Sequence, residues 1–152
     1  MYLTKRIYVK NWDHTAPEER TLITVTKDEK PLDGVNVSNI SYLIEDVGYW
    51  RKFNALHKWF VDNVQKGEDD CEEYYVSIDS IKKILSILKV IDNDNSKAEE
   101  LLPSQEGFFF GTVEYDEWYF NDVKRSIEIF ENILSDKEKN IISTDYYYRS
   151  SW

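Results

Sequence analysis

The chain opens on an alternation. From Tyr2 to Lys10, Leu3, Ile7 and Val9 fall on one side and Thr4, Arg6 and Tyr8 on the other, which predicts a strand with one buried face. Leu22 to Thr26, reading LITVT, is rich in β-branched residues and predicts a second strand. Asp13 to Glu19 lies between them as a loop, because Pro17 cannot donate to a central ladder. Pro31 and Asp33-Gly34 mark a turn.

Helical spacing then takes over. A long helix is predicted from about Asn39 to Gln65, capped by Ser38 or Asn39 and ended by Gly67. Its first apolar stripe is Ile40, Leu43, Ile44 and Val47. Past Gly48 the stripe moves almost to the opposite side, through Tyr49, Phe53, Leu56, Phe60 and Val64. One helix with two stripes must bend at Gly48 or pack against different partners at its two ends. A second helix runs from Ile78 to Ile91, capped by Ser77, with Ile81, Ile84, Leu85 and Leu88 on one side and Asp79 suiting the dipole of its first turn. Ser96 and Glu99 have capping-box spacing for a short turn of helix that Leu102-Pro103 stops.

Gly107 to Gly111 encloses three phenylalanines and reads as a buried apolar strand with glycine bends, or as a place where a ligand nears the backbone. A third helix, Asp116 to Leu134, buries Phe120, Val123, Ile127 and Phe130, and Asp136 to Asn140 is a charged linker. The tail from Tyr146 to Trp152 is too aromatic to stay solvated and is expected to fold back as an extended segment that joins the N-terminal strand. The expected fold class is therefore α+β. It is a mostly helical single domain over residues 1–152, with three main helices, a small N-terminal β element and an extended aromatic C-terminal segment.

Composition narrows the classes of partner. With 41% hydrophobic and 15% aromatic residues in 152, the chain is too apolar for disorder. It carries 19 Lys and Arg against 29 Asp and Glu, a net charge of −10. That balance argues against direct nucleic-acid binding and against docking on an anionic membrane. No apolar run reaches a membrane span, and Met1 to Arg6 lacks the apolar core of a signal peptide. With Cys71 alone no internal disulfide forms, and a cytoplasmic location is expected. The oligomeric state is left open.

Candidate chemistry concentrates between Tyr49 and Phe60. On a helix, Arg51, Asn54 and Lys58 continue the face of Ile40, Ile44 and Val47, and Trp50 and His57 flank Asn54 on the same side. Trp offers a stacking plane, Arg a fork for carboxylate or phosphate, and Asn a reader of polar edges, so this face suits a planar anionic ligand. The alternative is structural, with Arg51 paired to Glu45 or Asp46 and His57 bonded to a backbone carbonyl. Tyr115 and Trp118, in the run Tyr115-Asp116-Glu117-Trp118-Tyr119, add recognition-type aromatics. The expected ligand-binding set is Trp50, Arg51, Asn54, His57, Lys58, Tyr115 and Trp118. The acidic run from Glu68 to Glu73 lacks EF-hand order and reads as a solvated loop whose carboxylates disfavour a Cys71 thiolate. With two histidines and no GxSxG, HExxH or CxxC motif, no catalytic residue, metal site or cofactor is assigned.

Together these segments resemble a family of small acidic proteins encoded by bacteriophages and prophages. The likeness spans most of the chain. It rests on Tyr8-Val9-Lys10-Asn11-Trp12, on Trp50-Arg51-Lys52 with Asn54 and His57-Lys58-Trp59-Phe60, and on Asp69-Asp70-Cys71 with Tyr74-Tyr75-Val76-Ser77. It continues through Leu101-Leu102-Pro103, Gly107 to Gly111, Tyr115-Asp116-Glu117 and the closing Tyr147-Tyr148-Arg149-Ser150-Ser151-Trp152. Phe53 stands where a small residue such as Ala is expected in similar proteins. The resemblance implies a phage or prophage origin and a role in the host cytoplasm during infection, and it transfers no catalytic residues.

Three functions are compatible with these features. One is a non-enzymatic binder of a small anionic, nucleotide-derived ligand, used by a phage to counter a host defence. A second is an acidic inhibitor that mimics phosphates towards a host protein. The third is a small-metabolite enzyme with His57 as general base.

Overall fold

A computed structural model describes residues 1–106, 113–139 and 143–151 of the chain. The alternation at the start becomes strand β1, Tyr2–Tyr8. A short hairpin follows, β2 (Thr26–Lys27) with β3 (Lys30–Pro31), and then strand β4, Tyr42–Tyr49. Helix α1 (Asn54–Asn63), strand β5 (Tyr74–Val76), helix α2 (Ile78–Asn93), the short helix α3 (Ala98–Leu101), helix α4 (Glu117–Lys139) and strand β6 (Thr144–Arg149) complete the order. Strands β4, β1, β6 and β5 lie side by side in that order, all pairs antiparallel. The class is α+β, and the aromatic C-terminal segment joins β1 over Thr144–Arg149.

The structure corrects the reading of residues 39–65 as one helix. Tyr42 to Tyr49 is a strand paired with β1 from Tyr2↔Tyr49 to Tyr8↔Tyr42, with a bulge at Val47 opposite the Leu3–Thr4 step. The shift of apolar stripe at Gly48 is the seam between two elements. Lys52, at φ 67°, turns the chain in a left-handed conformation that no helix passes through. Gly48 is buried against Trp50. A Cβ at position 48 would lie 2.6 Å from Cη2 of that indole, so glycine alone lets the ring pass under the strand.

Three smaller corrections follow. The fold is less helical than expected, since the β element is a four-stranded sheet with helices against one face. The run from Leu22 to Val25 forms no strand and Leu22 stands 94% exposed; only Thr26 pairs, within the small hairpin. The helix expected to end at Leu134 runs on to Lys139, through most of the segment read as a charged linker, because Lys and Glu are good helix formers. The prediction for 78–91 holds, with the Ser77 hydroxyl accepting from the Ser80 amide at 3.0 Å. The Gly107–Gly111 segment lies outside the described residues.

The buried side of the sheet carries Leu3, Val76, Tyr146 and Tyr148, and α1, α2 and α4 cover it with Leu56, Phe60, Ile84, Leu88, Val123 and Phe130. Lys5 shares that side. It is buried, and its ammonium reaches Glu45 at 3.2 Å and Asp136 at 3.7 Å. Gln65 is a weak point. It is fully buried past the end of α1, yet neither atom of its side-chain amide has a hydrogen-bond partner among the described residues. An unpaired buried amide costs about 1–3 kcal/mol. Gln65→Leu is therefore expected to raise the unfolding free energy by about 1 kcal/mol or more in a urea titration. A lower midpoint in the variant would show that the native amide is satisfied.

Candidate functional site

The turn that precedes α1 sets the site. Trp50 is drawn inward, fully buried, with its Nε1 donating to the Ser126 hydroxyl of α4 at 2.8 Å. The left-handed Lys52 then throws Arg51 and Lys52 outward, and both are exposed. Phe53 returns inward and meets Tyr119 edge-on, ring centroids 5.4 Å apart. Asn54 begins the helix and is buried, its Oδ1 accepting from the Gln105 amide at 3.4 Å.

Helix α4 supplies the opposite wall. Asp116 caps it by accepting from the Tyr119 amide at 3.0 Å. The first two turns then present Trp118, Tyr119, Asp122 and Arg125 towards the start of α1. Tyr119 is anchored by its hydroxyl, which donates to the Leu102 carbonyl at 2.8 Å. Burial, with the nearby Tyr115, raises its pKa far above the ordinary phenol value, so it is a neutral floor. Burial also raises the pKa of Asp122, against the pull of Arg125. Trp118 is 77% exposed, an unusual state for an indole.

Between these walls lies a cleft of about 380 Å³, a volume within the usual range for small-molecule sites. Its charged lining is Arg51, Lys52 and Arg125 against Glu114, Asp116 and Asp122. The cleft is thus locally balanced in a chain of net charge −10. No ion pair involves Arg51, Lys52 or Arg125 among the described residues, whereas Lys58, Lys89 and Lys97 are each paired with a carboxylate.

The residues expected to share one helical face separate. Arg51, Asn54 and Trp118 line the cleft. Trp50 is in the core. Lys58 points to another side of α1, bonded to Asp62 at 2.6 Å, beside a groove of about 160 Å³ against Leu101, Leu102 and Pro103. Tyr115 is half-buried behind the cleft, its hydroxyl accepting from the Ser104 amide at 3.2 Å.

His57 is almost fully buried in a chain of hydrogen bonds. Its Nδ1 meets the Tyr148 hydroxyl at 2.7 Å and its Nε2 meets Asp69 at 3.1 Å. A carboxylate only accepts, so Nε2 carries the proton and Nδ1 accepts from Tyr148. Asp69 also accepts from Ser150 at 3.3 Å. This chain ties α1, the acidic loop and the end of β6 together, giving part of the acidic run a structural role that its composition does not reveal.

Ser104, Asp122 and Arg125 complete the cleft without having been singled out by the sequence, and Lys52, Phe53, Glu114, Asp116 and Tyr119 join it from outside the expected ligand-binding set. The one available signal was Asp122 with Arg125 at i,i+3 spacing on the polar side of the third helix, and many such pairs exist in a chain this charged. Among the described residues no group of three or more His, Cys, Asp or Glu side chains is placed to hold a metal ion. None of the described helices is long and apolar enough to cross a membrane. Comparison of the chain with protein families, with curated proteins and with solved structures finds no match.

Proposed function

We propose that the protein is a non-enzymatic accessory protein of phage type that binds a small anionic, nucleotide-derived ligand in the cleft between α1 and α4, and that it counters a host defence by sequestering such a molecule. One observation carries this reading. Arg51, Lys52 and Arg125, none of them ion-paired among the described residues, line a cleft beside the exposed Trp118 indole and above the Phe53 and Tyr119 rings. Guanidinium groups bind phosphate oxygens in pairs, and an exposed indole stacks on a base. The carboxylates of Glu114, Asp116 and Asp122 suit the rest of such a ligand, since ribose hydroxyls and base amino groups donate where carboxylates accept.

A binder is favoured over a catalyst by the placement of His57. His57, the residue expected as general base in an enzyme, is buried outside the cleft and bonded at both ring nitrogens.

Calorimetric titration with cyclic and ADP-ribose-type nucleotides tests the reading. Arg51→Ala and Trp118→Ala are each expected to weaken binding about tenfold or more. Both side chains are exposed, so the melting temperature should stay within a few degrees of the parent's. Affinity unchanged in both variants would remove this cleft from consideration.

A further inference from the structure

The cleft leaves one large feature unused, the side of the sheet turned away from the helices. Antiparallel pairing places alternate residues of β1, β4, β6 and β5 there, and their tyrosines meet in pairs. Ring centroids are 5.1 Å apart for Tyr2 and Tyr49, 5.2 Å for Tyr8 and Tyr42, and 5.9 Å for Tyr75 and Tyr147. Tyr42, Tyr49 and Tyr75 are 51%, 42% and 56% exposed, and Ile44 among them is 62% exposed, so no described element covers this face. A trough of about 590 Å³ runs across it, edged by the carboxylates of Asp46, Glu72 and Glu73.

The face already holds two guanidiniums of its own, Arg6 and Arg149, and both line the trough; Arg149 lies 6.0 Å from the centroid of the Tyr2 ring. Arg6 is ion-paired with Glu73 and lies 4.2 Å from the centroid of the Tyr147 ring. Ring and carboxylate together form a clamp for a planar cation, since the ring face is electron-rich and the carboxylate accepts the fork. Asp46 and Glu72 make no ion pair among the described residues, and the single charge of Arg149 in the same trough leaves their two carboxylates in excess, beside exposed tyrosines. We propose that this face is a docking surface for an arginine-bearing basic segment of a partner protein, held by the same ring-and-carboxylate chemistry that holds Arg6. Charge selects the occupant. Nucleic-acid phosphates would meet Asp46, Glu72 and the −10 charge of the chain, and a second copy would bring the same −10.

Fluorescence anisotropy of a labelled oligo-arginine peptide with the full chain tests this. The combined variant Asp46→Asn with Tyr49→Ala is expected to weaken peptide binding about tenfold, and Tyr75→Ala on the far strand gives a second measurement should the first variant fold poorly. Glu128→Gln, an exposed change on α4, alters net charge as Asp46→Asn does and should leave affinity unchanged. Three outcomes would overturn the inference: no peptide binding, equal weakening by Glu128→Gln, or preference for a single-stranded oligonucleotide over the peptide.

Discussion

Trp50→Ala is expected to lower the unfolding free energy by about 3–5 kcal/mol, the usual cost of emptying a buried aromatic site. The indole has no exposure, lies under Gly48, and packs against Phe130 at 5.9 Å between ring centroids. Its neighbours belong to β4 and α4, so the space it leaves cannot close without moving the sheet against the helix. The Trp50 amide, which alanine retains, bonds the Met1 carbonyl at 3.0 Å and ties the start of β1 to the end of β4, so the effect of the substitution comes from the indole alone. Trp50→Phe retains most of the ring volume and loses the Ser126 bond, and is expected to cost roughly half as much as the alanine change. Chemical denaturation of the two variants measures this. A cost for Trp50→Ala under about 1 kcal/mol would mean that the indole is not part of the core.

The second large effect is a loss of stability in mild acid, centred on His57. Burial depresses its pKa below the ordinary value near 6.5, and the hydrogen bond from Nε2 to Asp69 opposes this only in part. In the unfolded chain the imidazole takes up a proton as pH falls through about 6.5, while the folded protein excludes it. The neutral, buried state therefore contributes its full stability above pH 6.5, and the contribution is lost as pH falls towards the depressed folded value. Protonation would also turn Nδ1 into a donor facing the Tyr148 hydroxyl, whose own pKa burial holds well above the ordinary phenol value. His57→Leu at pH 7.5 is expected to cost about 1–3 kcal/mol, because the Tyr148 hydroxyl and Asp69 lose their partner. At pH 5 the gap between parent and variant should narrow. A gap that widens in acid would show that the histidine is charged in the native state and stabilised by Asp69.

Much of the fold is legible in the sequence where one element meets one partner. Helix α2 reads clearly because Ile81, Ile84, Leu85 and Leu88 form a single stripe with a serine cap in front. Strand β1 reads clearly because its two faces differ. Strand β4 does not. As an edge strand it buries little beyond Gly48 and part of Val47, so Leu43 and Ile44 are exposed apolar residues, and their spacing mimics a helical stripe. Fusing β4 with α1 then placed Trp50, Arg51, Asn54 and His57 on one imagined face. In the folded chain the turn at Lys52 buries Trp50, sends Arg51 and Lys52 outward and brings Phe53 back inward, which divides that set between core and cleft. One wall of the cleft comes from α4, and no local pattern says which polar side of a helix a distant turn will meet.

The most direct measurement of ligand binding uses the two indoles as opposed reporters. In a 15N-edited NMR titration with a nucleotide that binds, the Trp118 indole N–H, 77% exposed at the cleft, should shift, together with the Arg51 guanidinium. The Trp50 indole N–H, locked on Ser126 in the core, should stay in place. Movement of Trp50 with a silent Trp118, or saturation with neither Arg51 nor Trp118 affected, would contradict a ligand site between α1 and α4.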